Sequence, residues 1–104
     1  MSWQEDEQGY LKKNFAFKNY RQSFAFTSQI ALLAEKKNHH PQIILDYKQV
    51  TIRLVSHDVG KVTERDIDLA NQIDKIYSQW FFYWASQDSY PFTFAFIILT
   101  YCLL

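Results

Sequence analysis

Apolar residues recur at every second position in some stretches of the chain and at every third or fourth in others, and the change of period divides it into elements. Residues 10–17, YLKKNFAF, alternate loosely, with Phe15 and Phe17 on one side and Asn14 and Ala16 on the other, as a half-buried strand would. Trp3 to Glu7 predicts a short strand ahead of it, joined through Gly9. The period then lengthens: Phe26, Ile30 and Leu33 fall at helical spacing, and a helix is expected from about Tyr20 to Lys37. Asn19 supplies an N-cap oxygen, with Gln22 three residues on as a variant of the capping box. Lys36 and Lys37 complement the carbonyl end of the helix dipole, Asn38 suits a left-handed terminator, and Pro41 prevents continuation.

The β-branched runs IILDY (43–47) and VTIRLVS (50–56), separated by Lys48 and Gln49, predict an antiparallel hairpin. In the second run Val50, Ile52 and Leu54 share one face, whereas Thr51, Arg53 and, by the same parity, His57 lie on the other, away from the core. Thr63 then caps a second helix with Asp66 at its third position, and Leu69, Ala70, Ile73, Ile76, Tyr77, Trp80 and Trp84 continue an apolar stripe. The expected fold class is α+β: an antiparallel sheet of up to four strands with helices packed on one face.

A length of 104 residues suits one core rather than two. Eleven basic residues balance eleven acidic ones, so the broad positive field that captures phosphate backbones is missing, and nucleic acid is not expected as a direct ligand. The lone Cys102 excludes an internal disulfide and a thiolate metal site and fits a reducing compartment. The acidic start MSWQEDEQ does not follow the order of a secretion signal, so the cytosol is the expected location, with the nucleus also compatible.

Asp88 is the sole charged residue between 80 and 104, which divides the chain into a body, 1–79, and an apolar continuation of the last helix with its tail, 80–104. As a helix, the uncharged stretch from Tyr90 to Leu104 would reach only ~22 Å, short of a ~30 Å hydrocarbon core, so a membrane span is not expected. Packing against the body or a neighbouring subunit is the expected use of the tail.

Two of the three histidines, His39 and His40, stand side by side between the first helix and Pro41. A histidine just past a helix C-terminus is favoured by the dipole, so a surface or capping role is one reading. Zinc held by Glu35, His39 and His57 is a second, but neither HExxH nor CxxC spacing is present. Ser56, His57 and Asp58 are sequence neighbours that alternate in direction on a strand, which argues against a catalytic triad. Acid-base work by imidazoles around a small pocket is the remaining reading.

Taken together, EKKNHHP, Tyr47, VTIRLVSHD and VTERDIDLANQID, in this order and spacing, resemble the pterin-4a-carbinolamine dehydratase family, also known as dimerisation cofactors of a homeodomain transcription factor. The resemblance runs from about Trp3 to Gln79. It implies a 4a-hydroxytetrahydrobiopterin dehydratase, which eliminates water from 4a-hydroxytetrahydropterin to give quinonoid dihydropterin in tetrahydrobiopterin recycling. The reaction needs no cofactor and no metal, only a general acid for the departing hydroxyl and a base for the N5 proton. Imidazole, with an unperturbed pKa of about 6.5, can serve as either. By resemblance His39, His40 and His57 form the catalytic set, with His39 and His57 doing this work and His40 helping to hold the pterin. Asn38, Val55, Ser56 and Asp58 are further substrate contacts, with Trp3, Glu35 and Asp66 framing the pocket. Lys61 stands where glycine is common in the family, so the loop before the second helix changes course if that position favours positive φ. A homodimer or homotetramer is implied, and a transcription-factor partner is the alternative role, in which the fold acts as a non-catalytic dimerisation cofactor.

Overall fold

A computed structural model describes residues 2–87, with side chains placed through Trp80. The tail from 88 to 104 lies outside the described residues, as do Cys102 and the side chain of Trp84. The elements run β1 (Gln4–Glu5), β2 (Leu11–Ala16), α1 (Tyr20–Lys37), β3 (Gln42–Leu45), β4 (Gln49–Leu54) and α2 (Glu64–Gln87). The four strands form one antiparallel sheet in the order β1-β2-β4-β3.

Register decides which residues face the helices. Phe15 lies opposite Val50, Lys13 opposite Ile52 and Leu11 opposite Leu54, so these residues share a face. Phe15, Val50, Ile52 and Leu54 are buried there against Phe26 and Ile30 of α1 and Leu69, Ile73 and Ile76 of α2. Both helices therefore cover one side of the sheet, as the alternation predicted. The other side carries Lys12, Asn14, Thr51 and Arg53, with Thr51 donating its hydroxyl to the Asn14 side chain at 2.7 Å. That cross-strand bond lets Thr51 be buried away from the core without an unpaired hydroxyl.

The ends of α1 follow from local chemistry. Asn19 is extended, and its side-chain oxygen accepts from the Gln22 amide at 2.9 Å. Gln22 reaches back one residue further than the usual reciprocal cap and accepts from the Lys18 amide at 3.0 Å. Asn19→Ala is expected to lower stability by about 1 kcal/mol, measured as a shifted denaturant midpoint at constant slope. At the other end Asn38 adopts φ 51° and ψ 42°, the left-handed conformation asparagine tolerates, and the amides of Asn38 and His39 close onto carbonyls of the last turn. This turn redirects the chain at the histidine pair.

Strand limits differ from the sequence pattern: β1 and β2 are shorter at both ends than the expected Trp3 to Glu7 and 10–17, and β3 and β4 stop earlier than their apolar runs. Tyr47 leaves β3 because the Asp46 carboxylate accepts from its amide at 2.8 Å, while the Asp46 amide closes the turn onto the Gln49 carbonyl. Val55 and Ser56 lie past the end of β4, and Ser56 makes an isolated bridge to Lys61. The positive φ of that loop falls on Gly60, at 70°, and not on Lys61, so a lysine there meets no left-handed requirement.

Candidate active site

Because β2 and β3 begin where β4 ends, Tyr10, the His39-His40 pair and the Val55–His57 segment collect at one end of the sheet. Here the outer sheet surface forms an open cleft of about 330 Å³ whose walls include Tyr10, His40, Gln42, Arg53, Val55 and His57. Two of the three imidazoles thus face one space. His57 is exposed, as its parity predicted, and meets the Tyr10 ring edge-on with centroids 6.3 Å apart.

The third imidazole is held differently. His39 has a side chain 13% exposed, and its Nε2 lies 2.6 Å from Oδ1 of a fully buried Asp66. The second oxygen of Asp66 accepts from the Ser56 hydroxyl at 2.7 Å and from the Thr63 amide at 2.9 Å. Asp66 is the third residue of α2, so its bond to the Thr63 amide is the reach-back half of a capping box. The Thr63 hydroxyl pairs with Ser56 at 2.7 Å. One carboxylate thus starts the helix and orients a histidine 27 residues away.

Burial pushes the Asp66 carboxyl up, but hydrogen bonds from the Thr63 amide, His39 and Ser56 outweigh it and leave the group below its ordinary value of 3.8. A lowered native pKa stabilises the fold fully above the unfolded carboxylate range, and this contribution is lost as pH falls through the native value. The stability difference between wild type and Asp66→Asn is therefore expected to be present at about pH 5 and to shrink below about 4, as read by denaturant titration across pH.

The other residues singled out from the sequence are distributed around this centre. Glu35 does not join His39 and His57: it reaches His40 Nε2 at 2.6 Å in an exposed pair, because the turn at Asn38 sends the two neighbouring rings in different directions. Among the described residues no group of three His, Cys, Asp or Glu side chains is placed to hold a metal ion. Val55 is buried at the cleft wall. Ser56 is also buried, and its hydroxyl is directed to Asp66. Asp58 is an exposed partner of Arg65 at 2.6 Å, and that hydrogen bond holds its carboxyl below the usual range. Trp3 lies elsewhere: its indole nitrogen donates to Asp74 at 3.1 Å and its ring packs edge-on against Phe15, so it borders the core instead of the cleft.

Tyr10, Gln42 and Arg53 went unrecognised in the sequence as cleft residues. The parity that put Arg53 on the same side as His57 was the available signal, but their common pocket depends on the register that sets Gln42 opposite Arg53.

The arrangement defines a class: a small α+β fold with a carboxylate-oriented histidine and two further imidazoles gathered at one end of its sheet. The sequence pattern of the family "Pterin 4 alpha carbinolamine dehydratase" matches residues 1–76, and the chain belongs to this family. A Synechococcus sp. (strain WH7803) protein provisionally named pterin-4-alpha-carbinolamine dehydratase is 43% identical over 74 residues, covering 71% of this chain and 78% of its own. A similarly named protein of Jannaschia sp. (strain CCS1) is 42% identical over 74 residues, covering 69% of this chain and 76% of its own. Among solved structures, a transcriptional coactivator/pterin dehydratase from Brucella melitensis superimposes with a TM-score of 0.69 at 36% identity, covering 73% of this chain and 82% of that one. A pterin dehydratase-like protein described as a RuBisCO assembly factor in the alpha-carboxysome gives 0.64 at 32% identity, covering 74% and 90%. No helix among the described residues is long and apolar enough to cross a membrane.

Proposed function

We propose that the protein dehydrates 4a-hydroxytetrahydropterins, including the biopterin form, to the quinonoid dihydropterins. The observations that carry this reading are the cleft lined by His40 and His57 and, at the residue preceding His40, a histidine held by a buried carboxylate, the His39-Asp66 pair. With Nε2–H donated to Asp66, the lone pair of His39 is on Nδ1, which makes no hydrogen bond within the described residues. Nδ1 then accepts the N5 proton, and Asp66 stabilises the imidazolium that results. His57, exposed and so able to be reprotonated from solvent, donates a proton to the 4a-hydroxyl. The C4a–O bond breaks, the N5 electron pair forms C4a=N5, and the products are water and quinonoid dihydropterin. His40 contacts the ring, and Glu35 positions His40. Asn38, Val55 and Asp58 lie along the chain segments that would border the pterin, and Ser56 acts through Asp66.

The test is to generate 4a-hydroxytetrahydropterin in the presence of the purified protein and follow quinonoid dihydropterin by absorbance. A rate above the spontaneous one, growing in proportion to added protein, is expected; no acceleration overturns the reading. A homodimer or homotetramer in the cytosol or nucleus accompanies it, built from the body 1–79. A second reading, in which the fold serves as a protein-binding module, is favoured by the coactivator and assembly-factor descriptions of the two solved relatives. It predicts that His39 and His57 can be replaced without consequence for the protein's role.

A further inference from the structure

We propose that the Tyr10, Gln42 and Arg53 side of the cleft is a subsite for a hydroxylated substituent at C6 of the pterin, in which Tyr10 and Gln42 touch the substituent and Arg53 is the positioning residue that holds both. This deepens the dehydratase reading and rests on it for the identity of the ring. C6 is bonded directly to N5, the atom that loses its proton, so in the proposed reaction whatever C6 carries lies within a few ångströms of the proton-transfer groups, of which His57 lines this cleft. Tyr10, Gln42 and Arg53 are the polar groups that share the cleft with His40 and His57.

Arg53 is built in as a clamp. Its side chain is 15% exposed, and Nε donates to Asp6 at 2.8 Å. One terminal nitrogen donates to Gln42 and the other to Gln8. The guanidinium carbon lies 3.9 Å from the Tyr10 ring centroid, a stacked cation-π contact. Asp6 also accepts from the Gln8 and Tyr10 amides at 2.9 and 3.0 Å, so the turn between β1 and β2 is braced against the same arginine. A planar fork of five N–H donors suits such a junction, and lysine does not reproduce it.

The chemistry offered to a ligand follows. The Gln42 oxygen is committed to Arg53, which orients the amide so that its NH2 is the free donor. Beside it Tyr10 adds an apolar ring edge-on to His57. Hydrogen-bond donors next to an aromatic surface match a short alkyl chain bearing hydroxyls, and a bare methyl group would leave those donors without partners.

The experiment compares pterins carrying a 6-(1,2-dihydroxypropyl) or a 6-methyl group, in binding to the stable oxidised forms and in dehydration kinetics of the 4a-hydroxy forms. Wild type is expected to prefer the dihydroxypropyl compound by about three- to ten-fold for each hydrogen bond made. Arg53→Met and Gln42→Leu should each collapse that preference, the loss falling in KM rather than kcat, and Arg53→Lys should restore only part of it. Gln42 is exposed, so its variant tests the subsite even where the arginine variant fails to fold. Equal binding of the two compounds by wild type, or a preference that survives Gln42→Leu, overturns the proposal. Discriminating binding without accelerated dehydration would remove the dehydratase reading and leave the subsite standing.

Discussion

His57→Ala is expected to slow dehydration above the spontaneous rate by ~10²- to 10⁴-fold, and His39→Ala by a similar factor, because each removes one positioned proton transfer. These losses correspond to about 2.7–5.5 kcal/mol of barrier. His57→Ala should leave stability unchanged, since His57 is exposed, whereas His39→Ala removes a partner of the buried Asp66 carboxylate and should cost about 1–3 kcal/mol, so its rate is read under conditions where the variant is shown to be folded. The two sites separate in a second measurement. His57 opens to solvent, so added imidazole should recover part of the His57→Ala rate. The partly enclosed position against Asp66 should make His39→Ala much less responsive. Single-turnover rates equal to wild type in both variants would reject the acid-base assignment.

A comparably large effect is expected on stability from Phe26→Ala. The Phe26 ring is fully buried, with centroids 5.0 Å from both Phe15 and Phe17 and 5.8 Å from Tyr77. It is where α1 meets the sheet and α2 together. Truncation should cost about 3–5 kcal/mol, since transfer free energy is lost and a cavity remains among rings that cannot all close in. For a domain whose total stability is on the order of 5–15 kcal/mol, that is a large fraction. Denaturant unfolding checks it: the midpoint should fall sharply with the slope unchanged. A loss below about 1 kcal/mol would mean the aromatic cluster repacks, contrary to the close packing of protein interiors.

The helix from Tyr20 to Lys37 could be read from the chain because its limits are local, with Asn19 and Gln22 at one end and Lys36, Lys37 and Asn38 at the other. Sheet alternation was equally legible, since Val50, Ile52 and Leu54 can face only one way once the helices cover one side. The candidate site was legible as residue types, and several of its contacts were not. Asp66 was marked as a helix-start residue and as part of the pocket frame, but its bond to His39 crosses 27 residues and depends on how α2 docks. Glu35, four residues before His39, instead meets His40, a choice made by the left-handed turn at Asn38. Trp3 carries no local mark of its destination, which is fixed by Asp74 from 71 residues away. Short-range chemistry is written in neighbouring residues, whereas cross-chain partners follow from register and docking.

The double duty of Asp66 has a consequence for how the protein would be used as a reagent. In the proposed reaction, a molecule whose second helix has slipped from its seat would lose the anchor of its proton acceptor in the same event, so damaged copies would fall together to the residual rate left without that histidine. Specific activity in a preparation would then count intact molecules.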